Sequence, residues 1–335
     1  MTRPLILDVD GTLLKSDLTH EMILEAIKRD PLKAVHYARL GARSKPAMKQ
    51  EMVARIGEVL DTDVVPLEPK IVALAEQAIA DGRDVYLCSG TEESLIKRLA
   101  ERLDFVTDAF GTSPTYNMTS ENKASFLRER FPDGFDYAGN STQDFAVWEV
   151  AQSGYAIRPP KRTGKTRTAA GEDVVILEDR TSTFGALLEG MRPSRWWYPL
   201  PVLVLVYVAV LRGMADNIWL PIWASLMWVL VVAALSLMDD LRDIHQDRRD
   251  GFLARPIAAG ELSVPKAVIA LVLLMIGAAF ISLAVLPPWM FPVLLVVLYV
   301  GSAVTRLKFD LPRSLLTRLA IALATLPYIP LALGV

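Results

Sequence analysis

Three aspartates, Asp240, Asp243 and Asp247, recur at i, i+3 and i+7, with Asp239 beside them. On a helix that spacing puts the carboxylates on one face. Like charges so close repel unless a cation lies between them, and magnesium takes carboxylates together with phosphate oxygens. Arg248, Arg249 and Arg255 follow, and guanidinium groups grip phosphate in planar, bidentate geometry. Acids for a metal, then arginines for phosphate, predict a magnesium–diphosphate site. The alternative is an ordinary charged connector between two apolar runs.

A second set of reactive types sits at the ends of short apolar runs. Residues 4–9 read as a buried parallel strand that delivers Asp8 and Asp10 to a glycine turn, Asp10-Gly11-Thr12. A strand at 84–88 ends in Ser89-Gly90-Thr91, with a helix from Glu92, and a short strand or turn lies at 105–109. Lys123 opens a helix after the polar 117–122 loop. The 135–138 strand is closed by Gly139-Asn140-Ser141-Thr142-Gln143-Asp144. Residues 18–77 read as helical throughout. Strands and helices alternating, with polar residues at each strand's end, predict a doubly wound α/β domain. Domain boundaries are expected at 1–156, with helices inserted at about 14–80. A 157–190 linker follows, carrying an edge strand at 174–177 and a flexible basic loop at 161–171 that suits anionic headgroups.

Composition divides the chain. Of 335 residues, 52% are hydrophobic and 22% charged, with a mean hydropathy of +0.30. That is too apolar for a soluble protein and too charged for a purely membrane one. Most of the charge lies before residue 195. A net charge of -2 argues against nucleic acid as a partner. The single cysteine, Cys88, excludes an internal disulfide and suits a reducing compartment. Asp8 interrupts the amino-terminal apolar run, so no signal peptide is expected.

Two resemblances follow from these motifs. The order Asp239-Asp240-x-x-Asp243-x-x-x-Asp247, then Arg255-Pro256-Ile257-x-x-Gly260, resembles the first aspartate-rich motif of the UbiA-type intramembrane prenyltransferases. That family usually has Asn where Asp239 stands. The resemblance implies magnesium at Asp239, Asp240, Asp243 and Asp247, a polyprenyl phosphate or diphosphate or phosphoribosyl diphosphate as substrate, and an all-α multi-span domain. Residues 299–308 resemble, with displaced spacing, a further motif of that family, in which Arg306 and Lys308 would reach the diphosphate.

The four strand ends resemble the motifs of the haloacid-dehalogenase superfamily of phosphohydrolases. By that resemblance Asp8 is the nucleophile, Asp10 the general acid/base, Ser89 a phosphoryl ligand and Lys123 a charge neutraliser. Asp8, Asp10, Asn140 and Asp144 would hold Mg2+, and the helices inserted after the first motif would form a helical cap. Asn140 stands where the family usually has Asp.

Membrane entry is marked by Arg192, Arg195, Trp196 and Trp197. Five spans are expected within 191–335, at about 197–212, 218–238, 264–286, 289–305 and 313–332. The basic 239–261 and 306–318 segments, set against the uncharged 286–288 turn, put the amino-terminal domain in the cytoplasm of a multi-pass inner or plasma membrane protein. Prenyltransferases of this type have about nine spans and a second aspartate motif, so an incomplete chain is expected. The functional expectation is a phosphohydrolase acting on a small phosphomonoester, fused to a UbiA-type transferase. The alternative is a phosphatase tethered to the bilayer, with the spans serving only as anchor.

Overall fold

The computed structural model describes residues 3–56, 61–179, 182–196 and 219–286, with isolated positions between 288 and 298. The chain divides into two compact units. One comprises Met1–Ser182 with Arg248–Gly251 and Ala259–Val264; the other takes the remainder.

The first unit is built on six parallel strands: β1 (Leu5–Leu7), β2 (Val85–Glu92), β3 (Asp108–Thr112), β4 (Asp136–Gly139), β5 (Ser153–Ile157) and β6 (Val175–Glu178). Their order is β3-β2-β1-β4-β5-β6. The chain winds outward from β1 in one direction, returns, and winds outward in the other. The doubly wound expectation is met, and β1 and β4 flank the point where the order reverses, where such sheets place their ligands. β1 is paired on both sides, with Leu5 in register with Val85 and with Asp136, and its three residues are fully buried. An uninterrupted apolar run is what such a doubly covered strand requires. The sheet continues through the segment expected as linker: β6 pairs with β5 in parallel, so the unit runs on to Ser182.

Between β1 and β2 lie α1 (Leu18–Arg29), α2 (Ala34–Arg43), α3 (Lys45–Ile56) and α4 (Pro69–Ala80). α1 to α3 form an excursion on a narrow neck. Leu14 and Leu67 form an antiparallel bridge, with Lys15 N donating to Pro66 O at 2.9 Å and Glu68 N to Leu13 O at 2.8 Å. α4 returns to the sheet and buries Ile71, Ala75 and Ala78, an i, i+4, i+7 stripe, in the same core as Leu5 and Leu7. α5 (Glu93–Ala100) adds Leu95, Ile96 and Leu99 to that core, while α6 (Ser120–Arg130) and the single turn α7 (Phe145–Trp148) pack in a second core with Ile6.

The second unit contains α8 (Phe184–Gly190), α9 (Trp219–Arg242) and α11 (Val264–Ala284); α10 (Ile244–Arg249) begins in it. Among the described residues, two helices are long and apolar enough to cross a membrane, over Ile222–Arg242 and Val264–Ala284, with mean hydropathies of 1.9 and 2.8. They fall where spans were expected at 218–238 and 264–286. Along α11, Ile269, Leu273, Ile276, Phe280 and Leu283 form an exposed apolar stripe, and a stripe of that size suits lipid. The expected spans at 197–212 and 313–332, most of that at 289–305, and Arg306 and Lys308 lie outside the described residues.

Candidate active site

The site grows from the end of β1. Asp8 N donates to Ala138 O at 2.9 Å, the last rung toward β4. The chain then turns at Gly11, whose φ of +76° is left-handed and suits glycine. A Cβ at Gly11 would lie 2.1 Å from Asn140 Nδ2. The β4 loop is therefore packed directly on the β1 turn, which is how Asn140 comes to sit beside the aspartates.

Asp8 is buried and both carboxylate oxygens are engaged. Oδ1 accepts from Lys123 Nζ at 2.7 Å, and Oδ2 from Thr12 Oγ1 at 2.9 Å. Burial pushes Asp8 up to about 7; Lys123 pulls against that shift, and the neighbouring Asp144 and Asp10 add to it. Lys123, only 4% exposed and in the first turn of α6, is held above the ordinary lysine value because Asp8 and Asp144 outweigh its desolvation.

Lys123 also donates to Tyr137 Oη at 3.1 Å, and Tyr137 in turn donates to Asp144 Oδ1 at 2.5 Å. Asp144 Oδ2 accepts from Ser141 N and Ser141 Oγ, each at 2.8 Å, and from Asn140 N at 3.1 Å. That capping arrangement closes the turn after β4. Burial pushes the Tyr137 phenol well above its ordinary value, so it stays a donor.

Asp10 has different partners. Its Oδ2 accepts from Ser89 Oγ at 2.9 Å and Thr91 Oγ1 at 2.7 Å, and its Oδ1 from Leu18 N at 2.8 Å. Burial pushes Asp10 up to about 6, with Asp17 adding to the shift and the three donors opposing it. Two carboxylates two residues apart thus sit in distinct hydrogen-bonded settings, the arrangement from which acid and base roles arise. Cys88, inside β2, is buried and pushed up to about 12, which leaves it an inert thiol.

The expected residues Asp8, Asp10, Ser89, Lys123, Asn140 and Asp144 therefore converge on one end of one sheet. Three participants escaped the sequence reading. Tyr137 looks like core until its hydroxyl is seen between Lys123 and Asp144. Lys49, on α3, is nearly buried and donates to the Gly90 carbonyl; nothing in its helical spacing distinguishes it. Glu21, on α1, is fully buried.

The donor chemistry fits a hard divalent cation. All the groups are oxygens, and Asp144 and Asp10 are close enough to Asp8 to oppose its ionisation. Among the described residues, however, no group of three or more His, Cys, Asp or Glu side chains is gathered as a metal cage.

That holds for the aspartate-rich segment as well. Asp240 pairs with Arg192, and Asp239 lies 3.7 Å from the same guanidinium. Arg255 pairs with Asp247 and lies 3.5 Å from Asp240. The expected carboxylate face is thus occupied by arginines. Asp243 sits at the break between α9 and α10, its N–H donating to Asp239 O at 3.0 Å. Arg249 reaches Asp61 at 2.8 Å. Arg248, expected to grip diphosphate, is instead committed to Glu21: both side chains are 0% exposed, with contacts of 3.0 and 2.9 Å.

No family model matches the chain. It is 28% identical over 263 residues to the uncharacterized protein y4nM of Sinorhizobium fredii, an alignment covering 78% of the chain and 51% of that relative. The chain thus spans about half the length of this curated relative. Among solved structures, it is similar to a protein of unknown function from Bordetella pertussis, with 17% identity and a TM-score of 0.41, over 52% of the chain and 99% of the other. A probable phosphoserine phosphatase from Vibrio cholerae matches with 15% identity and a TM-score of 0.39, over 56% and 63%. A predicted phosphoglycolate phosphatase from Haemophilus somnus matches with 16% identity and a TM-score of 0.36, over 47% and 86%.

Proposed function

We propose that the first unit is a phosphohydrolase of the haloacid-dehalogenase type acting on a small phosphomonoester, in a chain tethered to a membrane by its apolar helices. The observation that carries this reading is the end of β1. There a buried carboxylate, Asp8, is ion-paired to Lys123 at 2.7 Å, two residues from a second carboxylate, Asp10, held by three donors of its own.

In this reading a carboxylate oxygen of Asp8 attacks phosphorus, and the bond to the leaving oxygen breaks as Asp10 delivers its proton there. The aspartyl-phosphate is then opened by a water whose proton returns to Asp10. Lys123 keeps Asp8 ionised and offsets charge on the transferring oxygens. Ser89 and Thr91 hold the Asp10 carboxylate in place. Asp8 and Asp10, with Asn140 and Asp144 beside them, would hold Mg2+, which when bound supplies the positive charge that favours ionised Asp8 and stabilises the transferring phosphoryl group.

The reading is tested with the full chain and p-nitrophenyl phosphate in the presence of magnesium. Asp8→Asn, nearly isosteric but unable to form the acyl phosphate, is expected to lose about 10³-fold or more in kcat. Unchanged turnover removes Asp8 from the mechanism.

A transferase role for the 239–260 segment rests on its sequence pattern, and a polyprenyl or phosphoribosyl diphosphate would be its ligand. The arginine pairing of Asp240 and Asp247 favours the simpler role of apolar helices as anchor.

A further inference from the structure

Two short segments from the far side of the sequence, Arg248–Gly251 and Ala259–Val264, belong to the same compact unit as the sheet. Both meet it at the turn that leads from the β1 aspartates into α1. Arg248 makes a two-pronged ion pair with Glu21, and neither side chain is exposed. Glu21 lies in the first turn of α1 and also accepts from Ser16 Oγ. Gly260, with φ +76°, packs on Lys15: a Cβ there would lie 2.6 Å from Lys15 Cβ and 2.7 Å from Lys15 O.

That turn holds Asp10. Ser16 O accepts from Gly11 N at 3.0 Å, and Leu18 N, three residues before Glu21, donates to Asp10 Oδ1 at 2.8 Å. Arg248 thereby fixes Glu21, Glu21 fixes Ser16 and the start of α1, and the start of α1 aims a donor at Asp10. A buried, bidentate guanidinium–carboxylate pair is well suited to fixing geometry, because either partner left alone is a desolvated charge.

We propose that Arg248 is a positioning residue for Asp10, so that the segment after α9 is a working part of the phosphohydrolase site. The inference rests on the phosphohydrolase reading above and adds a residue more than two hundred positions from the catalytic turn. Other groups also face Asp10: Asp17 and His20, on the same turn, and Asp8 and Lys49 act on it through charge, and Ser89 and Thr91 donate to its other oxygen.

The test uses the full chain, with p-nitrophenyl phosphate and magnesium. Arg248→Met is expected to lower kcat about 10- to 100-fold, the scale of a displaced catalytic group, with KM within about 2-fold. A misplaced Asp10 slows the chemical step more than it weakens substrate binding, so the loss should fall on kcat and not on KM. Arg248→Lys, which keeps the charge but not the fork, should fall between the two. Arg29→Ala, breaking an exposed pair with Glu25 on the same helix, should leave both kcat and KM unchanged. If Arg248→Met fails to fold, Gly260→Ala presses on the same turn from the second segment and should lower kcat with KM held in the same way. A wild-type chain without phosphatase activity overturns the phosphohydrolase reading itself. An active wild type, with kcat unchanged in the Arg248 and Gly260 variants or with KM raised as much as kcat falls, overturns only the role of Arg248.

Discussion

Removing the Lys123 ammonium should disable Asp8 in a pH-dependent way. Its Nζ lies 2.7 Å from Asp8 Oδ1 and 3.8 Å from Asp144 Oδ1, and Asp8 already stands at about 7 because burial outweighs the pull of Lys123. At an effective dielectric of about 20, a unit pair at about 4 Å is worth roughly 4 kcal/mol. That corresponds to about 3 pKa units. Relaxation around an uncharged side chain recovers part of it, leaving about 2 units expected for Lys123→Met. Lys123 lowers Asp8, so its loss raises Asp8, and the carboxylate must be ionised to attack. The acid limb of kcat/KM should therefore move to higher pH, with the rate near neutrality down about 100-fold. Lys123→Arg should keep the limb near its wild-type position. Initial rates between about pH 5 and pH 9, at saturating magnesium, read this directly. A limb that stays in place, or that moves to lower pH, refutes the argument that Lys123 keeps Asp8 ionised.

Two further outcomes can be checked alongside. Asn140→Asp adds a carboxylate beside the Gly11 turn and should lower the magnesium concentration for half-maximal activity; an unaltered requirement, measured by magnesium titration of the rate, puts position 140 outside the metal shell. If the aspartate-rich segment binds a prenyl diphosphate, Asp243→Ala should weaken magnesium-dependent binding by about 10-fold or more relative to Asp250→Ala. Equal binding by the two variants in detergent leaves only the anchor role for that region.

Much of this fold was legible because parallel strands announce themselves as unbroken apolar runs. Residues 4–7 did so, and 135–138 did but for Asp136, and the polar residues that follow supplied the site. β5, Ser153–Ile157, did not: Ser, Gly and Tyr make it a poor strand by composition, and it exists because Asp136, Tyr137 and Ala138 offer it a ladder. Tyr137 and Lys49 escaped for a related reason. Burial of a polar tip depends on which elements pack there, and helical or strand spacing carries no trace of it. Arg248 illustrates the limit most sharply. Its place after an acid series reads as phosphate recognition, yet its partner is Glu21, a pairing 227 positions apart that no local pattern encodes.

The neck formed by Leu13–Lys15 and Pro66–Glu68 has a consequence for how this unit could diversify. Because the two chain ends are already zipped together, the entropy of closing the excursion grows only logarithmically with its length, by about 0.6 kcal/mol for each doubling. A longer, shorter or wholly different set of helices could be grafted onto the neck at little thermodynamic expense. On the phosphohydrolase reading, the opening turn from Ser16 to Glu21 and the contact of Lys49 with Gly90 would be retained, since both lie against the site, and the rest of the excursion would be free to follow the substrate.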